Sequence, residues 1–238
     1  MRESPARRFA DFDEAIAYRL LEYAARLSRR GYVSNTLGNI AIRAAHPRDA
    51  VHGVVYTKHR GVSLEEMTVA NVIVTDVASG ELLHGAVEPS IGHLLSRTLL
   101  ALRPDAGAVI HLHVDELIAY FSVCPGRHMR FISADAALVL SRPVWILEPN
   151  VNVETDASLL AGFADQTNCI VMPNHGVITV GRDVSEAFHR LNTITAEVRR
   201  IVLALQVAAA TGAPMNWVPE AEVAAMFRDS ARVVYGED

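Results

Sequence analysis

Apolar and polar positions along the chain change period repeatedly, and each change marks an element. After Asp13, residues Ile16, Leu20, Tyr23, Ala24 and Leu27 recur every three or four positions, which predicts a capped amphipathic helix ending near Gly31. Short apolar runs predict strands at 39–43, 54–56 and 72–75. Between the last two, Ser63-Leu64-Glu65-Glu66 has the spacing of a capping box that opens a short helical turn. Ala78-Ser79-Gly80 reads as a hairpin turn into Glu81-Leu82-Leu83. Pro89-Ser90 is expected to open a helix through Leu99, stopped by Arg103-Pro104. A buried strand around 108–114 leads through Val114-Asp115-Glu116 into another helix. Further on, the pattern predicts a helix near 156–164, strands at 169–172 and 177–180, and a long helix over 185–210. A last helix is expected around 220–227, carrying Val223 and Met226, with Val218 just before it.

Strands joined by short turns and interleaved with helices predict an α/β fold, a central mostly antiparallel sheet flanked by helices. The 238 residues contain no linker, so one domain over 1–238 is expected, with an N-terminal tail of about ten residues. Hydrophobic residues make up 50%, enough for one sizeable core. A formal charge of −5 gives no basic field for a nucleic-acid backbone, and Arg7-Arg8 is too short a cluster to change that. The N-terminus has no apolar segment of the secretory kind, and the longest apolar stretch, 201–210, is too short to span a membrane. The expected location is therefore the cytoplasm. Cys124 and Cys169 both sit in apolar surroundings and are expected to be inert buried thiols.

The chemistry concentrates in histidines. His111 and His113 alternate with Ile110, Leu112 and Val114, so both imidazoles fall on one face of a strand. Two polar rings on an apolar strand need partners, and a divalent metal is one, since neutral imidazole is its commonest side-chain ligand. His175, in Asn174-His175-Gly176, stands where a strand meets a turn and completes a three-His set with an open position. Asp115 and Glu116 follow the strand and are candidates either to orient the ligands or simply to favour a helix N-terminus. His128 and Arg130 are candidates for a loop that reaches a neighbouring subunit, and Ser185 with Glu186 reads as ordinary helix capping.

Four motifs in order, Thr36-Leu37-Gly38-Asn39-Ile40-Ala41, Glu88-Pro89-Ser90-Ile91-Gly92-His93, the run from Leu102 to His113, and Pro173-Asn174-His175-Gly176, resemble the class II aldolase/adducin family over roughly 15–205. The resemblance implies that His111, His113 and His175 hold a zinc, manganese, iron or cobalt ion. It also implies a lyase or epimerase acting on a small oxygenated substrate, assembled as a homotetramer with sites between subunits. The family's glycine-asparagine turn places Asn39 near substrate.

Two departures from the family pattern redirect the expectation. Family aldolases carry a carboxylate two positions after the Ser of the Pro-Ser motif, whereas this chain has Gly92. A proton donor must then come from His93 or Glu88, with His93 slightly favoured. The family's phosphate-holding pair of small hydroxyl residues becomes Ser90-Ile91, and its small loop becomes the cationic Thr57-Lys58-His59-Arg60-Gly61. Arg60, with Lys58 and His59, is suited to a carboxylate. The expectation is a metal-dependent decarboxylase of a hydroxylated aromatic, dihydroxyphthalate-like acid, with the metal as electron sink. The alternatives are a sugar-phosphate aldolase or epimerase, a non-haem iron oxygenase on the same fold, and a non-catalytic adducin-like interaction module.

Overall fold

Eight strands make one sheet in the computed structural model, which describes residues 7–46, 49–124, 126, 128–149 and 151–236. In chain order they are β1 (Asn39–His46), β2 (Asp49–Lys58), β3 (Val72–Asp76), β4 (Leu82–His84), β5 (Ala108–Leu112), β6 (Val144–Ile146), β7 (Cys169–Met172) and β8 (Gly176–Gly181). In space they run β4-β3-β2-β1-β5-β8-β7-β6, and each neighbouring pair is antiparallel except β6 with β7. The helices are α1 (Glu14–Arg29), α2 (His93–Leu102), α3 (Asp115–Val123), α4 (Ala134–Leu140), α5 (Val184–Thr211) and α6 (Glu220–Tyr235).

Strand alternation divides the core between the two faces of the sheet. Ile40, Ile42, Ile110 and Leu112 pack with Leu20 and Leu27 of α1 and Leu191 and Ile194 of α5. Ala41 and Val109 face the other way, onto Leu95 and Leu99 of α2 and onto Leu160 in a 3₁₀ turn at Ala157–Gly162. Full burial of each of these leucines stabilises the fold by about 1.5–3 kcal/mol. His111 lies between Ile110 and Leu112 in sequence, so it shares the α2 face with Val109. Among the described residues, no helix is long and apolar enough to cross a membrane.

Several boundaries differ from the sequence reading. Helix α2 starts at His93, not at Pro89, because residues 90–93 first make a turn closed by the His93 N–H on the Ser90 carbonyl at 3.1 Å. Ser63 and Glu66 exchange the bonds of a capping box around a turn that never becomes a helix. The expected helix near 156–164 is the 3₁₀ turn, capped by Asp156. Asp183, not Ser185, caps α5, and buried Glu186 is bound by Arg190. Strand β6 and helix α4 are too short to leave a periodic signal, and α6 continues to Tyr235. Residues 1–6 of the expected tail lie outside the described residues, while Arg7 pairs with Gly85 and Phe9 and Phe12 pack on the core. Cys169 is buried, but Cys124 is exposed, because α3 ends there and turns its last residues outward.

Candidate metal centre

Three elements bring the imidazoles together. Strand β5 carries His111, and His113 follows one residue beyond its end. His175 comes from the tight β7–β8 connection, where Asn174 takes a left-handed conformation (φ 62°) that Asn tolerates. Glycine is needed at Gly176, since a Cβ there would lie 2.5 Å from the Leu112 carbonyl oxygen and 3.0 Å from the His113 ring. On the other side, Gly38 (φ 76°) lets β1 close against β5, and Asn39 pairs in register with His111. One nitrogen from each of the three rings falls within 4.8 Å of the others, and the Nε2 atoms of His111 and His113 are 3.1 Å apart.

A fourth group closes the cluster, one that the sequence reading did not single out. Glu154 Oε1 is 3.3 Å from His111 Nε2, and Oε2 is 3.0 Å from His175 Nε2. Glu154 sits on the loop between β6 and the 3₁₀ turn. Its N–H donates to Asn152 Oδ1 at 2.9 Å, and the preceding Val153 is buried against the α2 side of the core. In sequence, Asn152 and Asp156 signal a turn, but nothing ties that turn to the histidines.

The hydrogen-bond inventory of the cluster fits a metal ion. His111 is fully buried, and its Nδ1–H donates to the Val177 carbonyl at 3.1 Å, a group that can only accept. Its Nε2 is then a lone pair facing both a carboxylate oxygen and another Nε2. One proton relieves one such contact, whereas a cation relieves all of them. Burial pulls His113 down to about 4, with His111 and His175 adding to the effect, so it is a neutral ligand at neutral pH. For Glu154, burial pushes the carboxyl upward, but its contacts with His111 and His175 outweigh it and hold it well below the usual carboxylate range.

The other expected site residues divide into those at the cluster and those away from it. Asn39 is buried, donates from Nδ2 to Ser90 Oγ at 3.3 Å and accepts from Ser96 Oγ at 3.1 Å. That fixes Asn39 and Ser90 beside Gly92, where an added Cβ would meet Glu154, Asn39 and His111. His93 turns away from the cluster to Thr75, with Nε2 to Oγ1 3.0 Å, and burial pulls it down to about 4. It is not placed to be the proton donor expected of it, since the step from 92 to 93 along the helix rotates the side chain by about 100°. Glu88 is exposed, and its backbone carbonyl receives the Arg60 N–H at 2.8 Å.

Within the cationic loop, Lys58 is wholly buried, with its ammonium on the Thr36 and Val62 carbonyls at 2.6 and 2.8 Å. It braces the turn before Gly38 instead of offering a charge to substrate. His59 is held by the Arg60 carbonyl and Asn71. Arg60 is exposed, on a loop that pairs with the Glu88-Pro89 segment. Glu116 binds Arg199 and so does not orient a histidine, and Asp115 is exposed in the first turn of α3. His128 pairs through its backbone with Trp145, and the Arg130 guanidinium lies 4.6 Å from the Trp217 ring centre.

Comparison with known proteins accords with this geometry. Residues 18–200 match the family described as Class II Aldolase and Adducin N-terminal domain. The L-fuculose phosphate aldolase of Methanococcus maripaludis is 22% identical over 160 residues, 67% of this chain and 81% of that protein. The methylthioribulose-1-phosphate dehydratase of Granulibacter bethesdensis is 27% identical over 193 residues, 75% of this chain and 86% of that protein. Human beta-adducin is 28% identical over 154 residues, which are 63% of this chain but 21% of that much longer protein. The crystal structure of Escherichia coli YgbL, described as a putative aldolase/epimerase/decarboxylase, shares the fold with a TM-score of 0.74 at 20% identity, covering 90% of this chain and 98% of that one. The match over residues 18–200 is the decisive finding: this chain belongs to the class II aldolase and adducin N-terminal domain family.

Proposed function

We propose that the protein is a divalent-metal-dependent carbon–carbon lyase that decarboxylates a hydroxylated aromatic, dihydroxyphthalate-like acid. What supports this reading is the make-up of the segments that flank the histidine cluster in sequence. Two aliphatic side chains, Leu37 and Ile91, are 45% and 55% exposed next to the Gly38-Asn39 and Gly92 positions that abut His111. Exposed Arg60 stands on the loop paired with the segment leading into Ile91. Aliphatic groups suit the face of a flat ring, and a guanidinium suits a ring carboxylate.

The residues then divide the work. Arg60 holds the carboxylate that is retained, Leu37 and Ile91 contact the ring, and Asn39, fixed by Ser90 and Ser96, bonds a ring oxygen beside His111. His111, His113 and His175 would hold the ion, which when bound supplies an electron sink for the oxygen adjacent to the breaking bond. The bond to the departing carboxyl breaks with its electron pair left on the ring, carbon dioxide leaves, and a proton from solvent water bonds to the same ring carbon. We also read the protein as a cytoplasmic homo-oligomer, a tetramer by family resemblance. Exposed Val123 on α3 and Leu203 and Val207 on α5 offer apolar surface for such contacts.

Glu154 favours a second reading. A carboxylate beside the imidazoles restores the acid/base group whose absence at Gly92 argued against aldol chemistry, and two relatives are named for phosphorylated sugars. The test is to load the purified protein with zinc, manganese, cobalt or ferrous ion and supply dihydroxyphthalate-type acids and sugar phosphates in parallel. Carbon dioxide release without oxygen uptake, abolished by a chelator, is the expected result. Cleavage or dehydration of a sugar phosphate with no carbon dioxide release overturns it in favour of the second reading, and oxygen uptake indicates an oxygenase.

A further inference from the structure

The space above Gly92 is already filled. An ideal Cβ built on that residue would lie 2.6 Å from Glu154 Oε1, 3.0 Å from Asn39 Nδ2 and 3.3 Å from the His111 ring. A side chain at position 92 would therefore point into the histidine cluster, and the atom found there is a carboxylate oxygen from a different segment. The two Glu154 oxygens are divided between two rings, Oε1 toward His111 and Oε2 toward His175. Asn152 pins the loop from one side, and the buried Val153 and the Asp156 cap hold it from the other. Glu154 is thus positioned by the fold.

We propose that Glu154 is the fourth protein ligand of the metal centre and replaces, from the loop after β6, the carboxylate that the chain lacks at Gly92. The inference rests on the metal-dependent reading above. A structural ion pair would require His111, with its Nδ1–H on Val177, to carry a charge and share one Nε2–H between Glu154 Oε1 and His113 Nε2. His111 has committed its Nδ1–H to Val177, so its Nε2 meets Oε1 as one acceptor facing another unless the ring is charged in a fully buried site. An ion held by one nitrogen from each ring, with a Glu154 oxygen beside His111 and His175, satisfies these groups with hard and borderline donors that suit zinc, manganese, iron or cobalt.

The experiment measures metal binding to the full chain and needs no substrate. Wild type, Glu154→Gln, Glu154→Ala and the double variant Gly92→Glu/Glu154→Ala are stripped of metal. They are then titrated with zinc against a chromogenic chelator and with cobalt by visible absorption. Wild type is expected to bind one ion per chain. Glu154→Gln and Glu154→Ala should weaken zinc binding by about 10–100-fold or more and change the cobalt spectrum. The double variant should recover at least about tenfold of the loss, because it returns a carboxylate to the same volume. Gly92 has an ordinary φ of −71°, so the new side chain brings no backbone strain. Unchanged affinity and cobalt spectrum in both single variants overturn the proposal and leave the three-His reading standing. A loss in the single variants that the double variant does not recover overturns the replacement, as does a loss accompanied by unfolding of the metal-free variants. Failure of the wild type to bind any ion overturns both the proposal and the reading beneath it.

Discussion

Two polar clusters sit at opposite ends of the β5–β8 ladder, and they are built on opposite rules. At the end where Ala108 pairs with Gly181, Arg103 and Arg190 are buried and fully engaged. Arg103 forks onto Asp105 at 2.7 Å through two nitrogens and donates to the Ala164 and Thr167 carbonyls, while Arg190 donates to Val180, Ser141 and Glu186. Both guanidinium groups meet acceptors on several elements. At the end where Leu112 pairs with Val177, three imidazole nitrogens and a carboxylate converge with too few protons among them. The first cluster ties the ends of strands, loops and helices together, and the second is held by the fold in an arrangement that suits a cation. A buried polar group that is satisfied is read as structure, and one that is placed but unsatisfied is read as a site.

That contrast can be broken most severely at His113. Replacing it with Ala removes one ring of the set, and the expected result is loss of stoichiometric metal with activity down by roughly a thousandfold. Elemental analysis and a turnover assay read it, and retention of both would remove the contrast. Next, Arg190→Met leaves Glu186 with one partner fewer in a site where both side chains are almost fully buried. The expected cost is about 3 kcal/mol in chemical denaturation, with metal stoichiometry unchanged. Equal metal loss would mean that the two ends are not independent. Arg60→Ala should raise KM for a carboxylate substrate about tenfold or more and leave metal affinity alone, which separates the rim from the cluster.

The smallest effect is a pH slope. His93 and His113 both stand at about 4 in the folded protein against 6.5 when free. Between those values the unfolded chain binds more protons, so the metal-free protein should be fully stable above about pH 6.5 and lose stability as pH falls toward 4. His93→Gln should make that loss shallower by about one proton, measured by denaturation at a series of pH values. An unchanged slope would mean that His93 is protonated in the fold.

How much of this was legible in the chain depended on range. The helix behind Asp13 and the strand under His111 are written in local period, because 3.6-residue and two-residue repeats follow from backbone geometry alone. Asn174-His175-Gly176 was readable as a turn for the same reason. The sequence suggests Lys58 as a partner of Arg60 for a substrate carboxylate, since nothing local shows that the Thr36 and Val62 carbonyls enclose it. His93 suggests itself as a donor because it follows Gly92, yet the helix turns it to Thr75 on β3.

The sequence by itself determined the α/β alternation, the mostly antiparallel sheet and the three candidate histidines, because strand and turn signals are local and each histidine lies within one. The tertiary structure alone decided that Glu154 completes their cluster. Its position follows from how the loop after β6 packs across the α2 face, which brings a carboxylate from a distant segment into the space that Gly92 leaves open. Burial in that packing, and the Val177 carbonyl that claims the His111 proton, turn a set of nearby side chains into a site that calls for a cation.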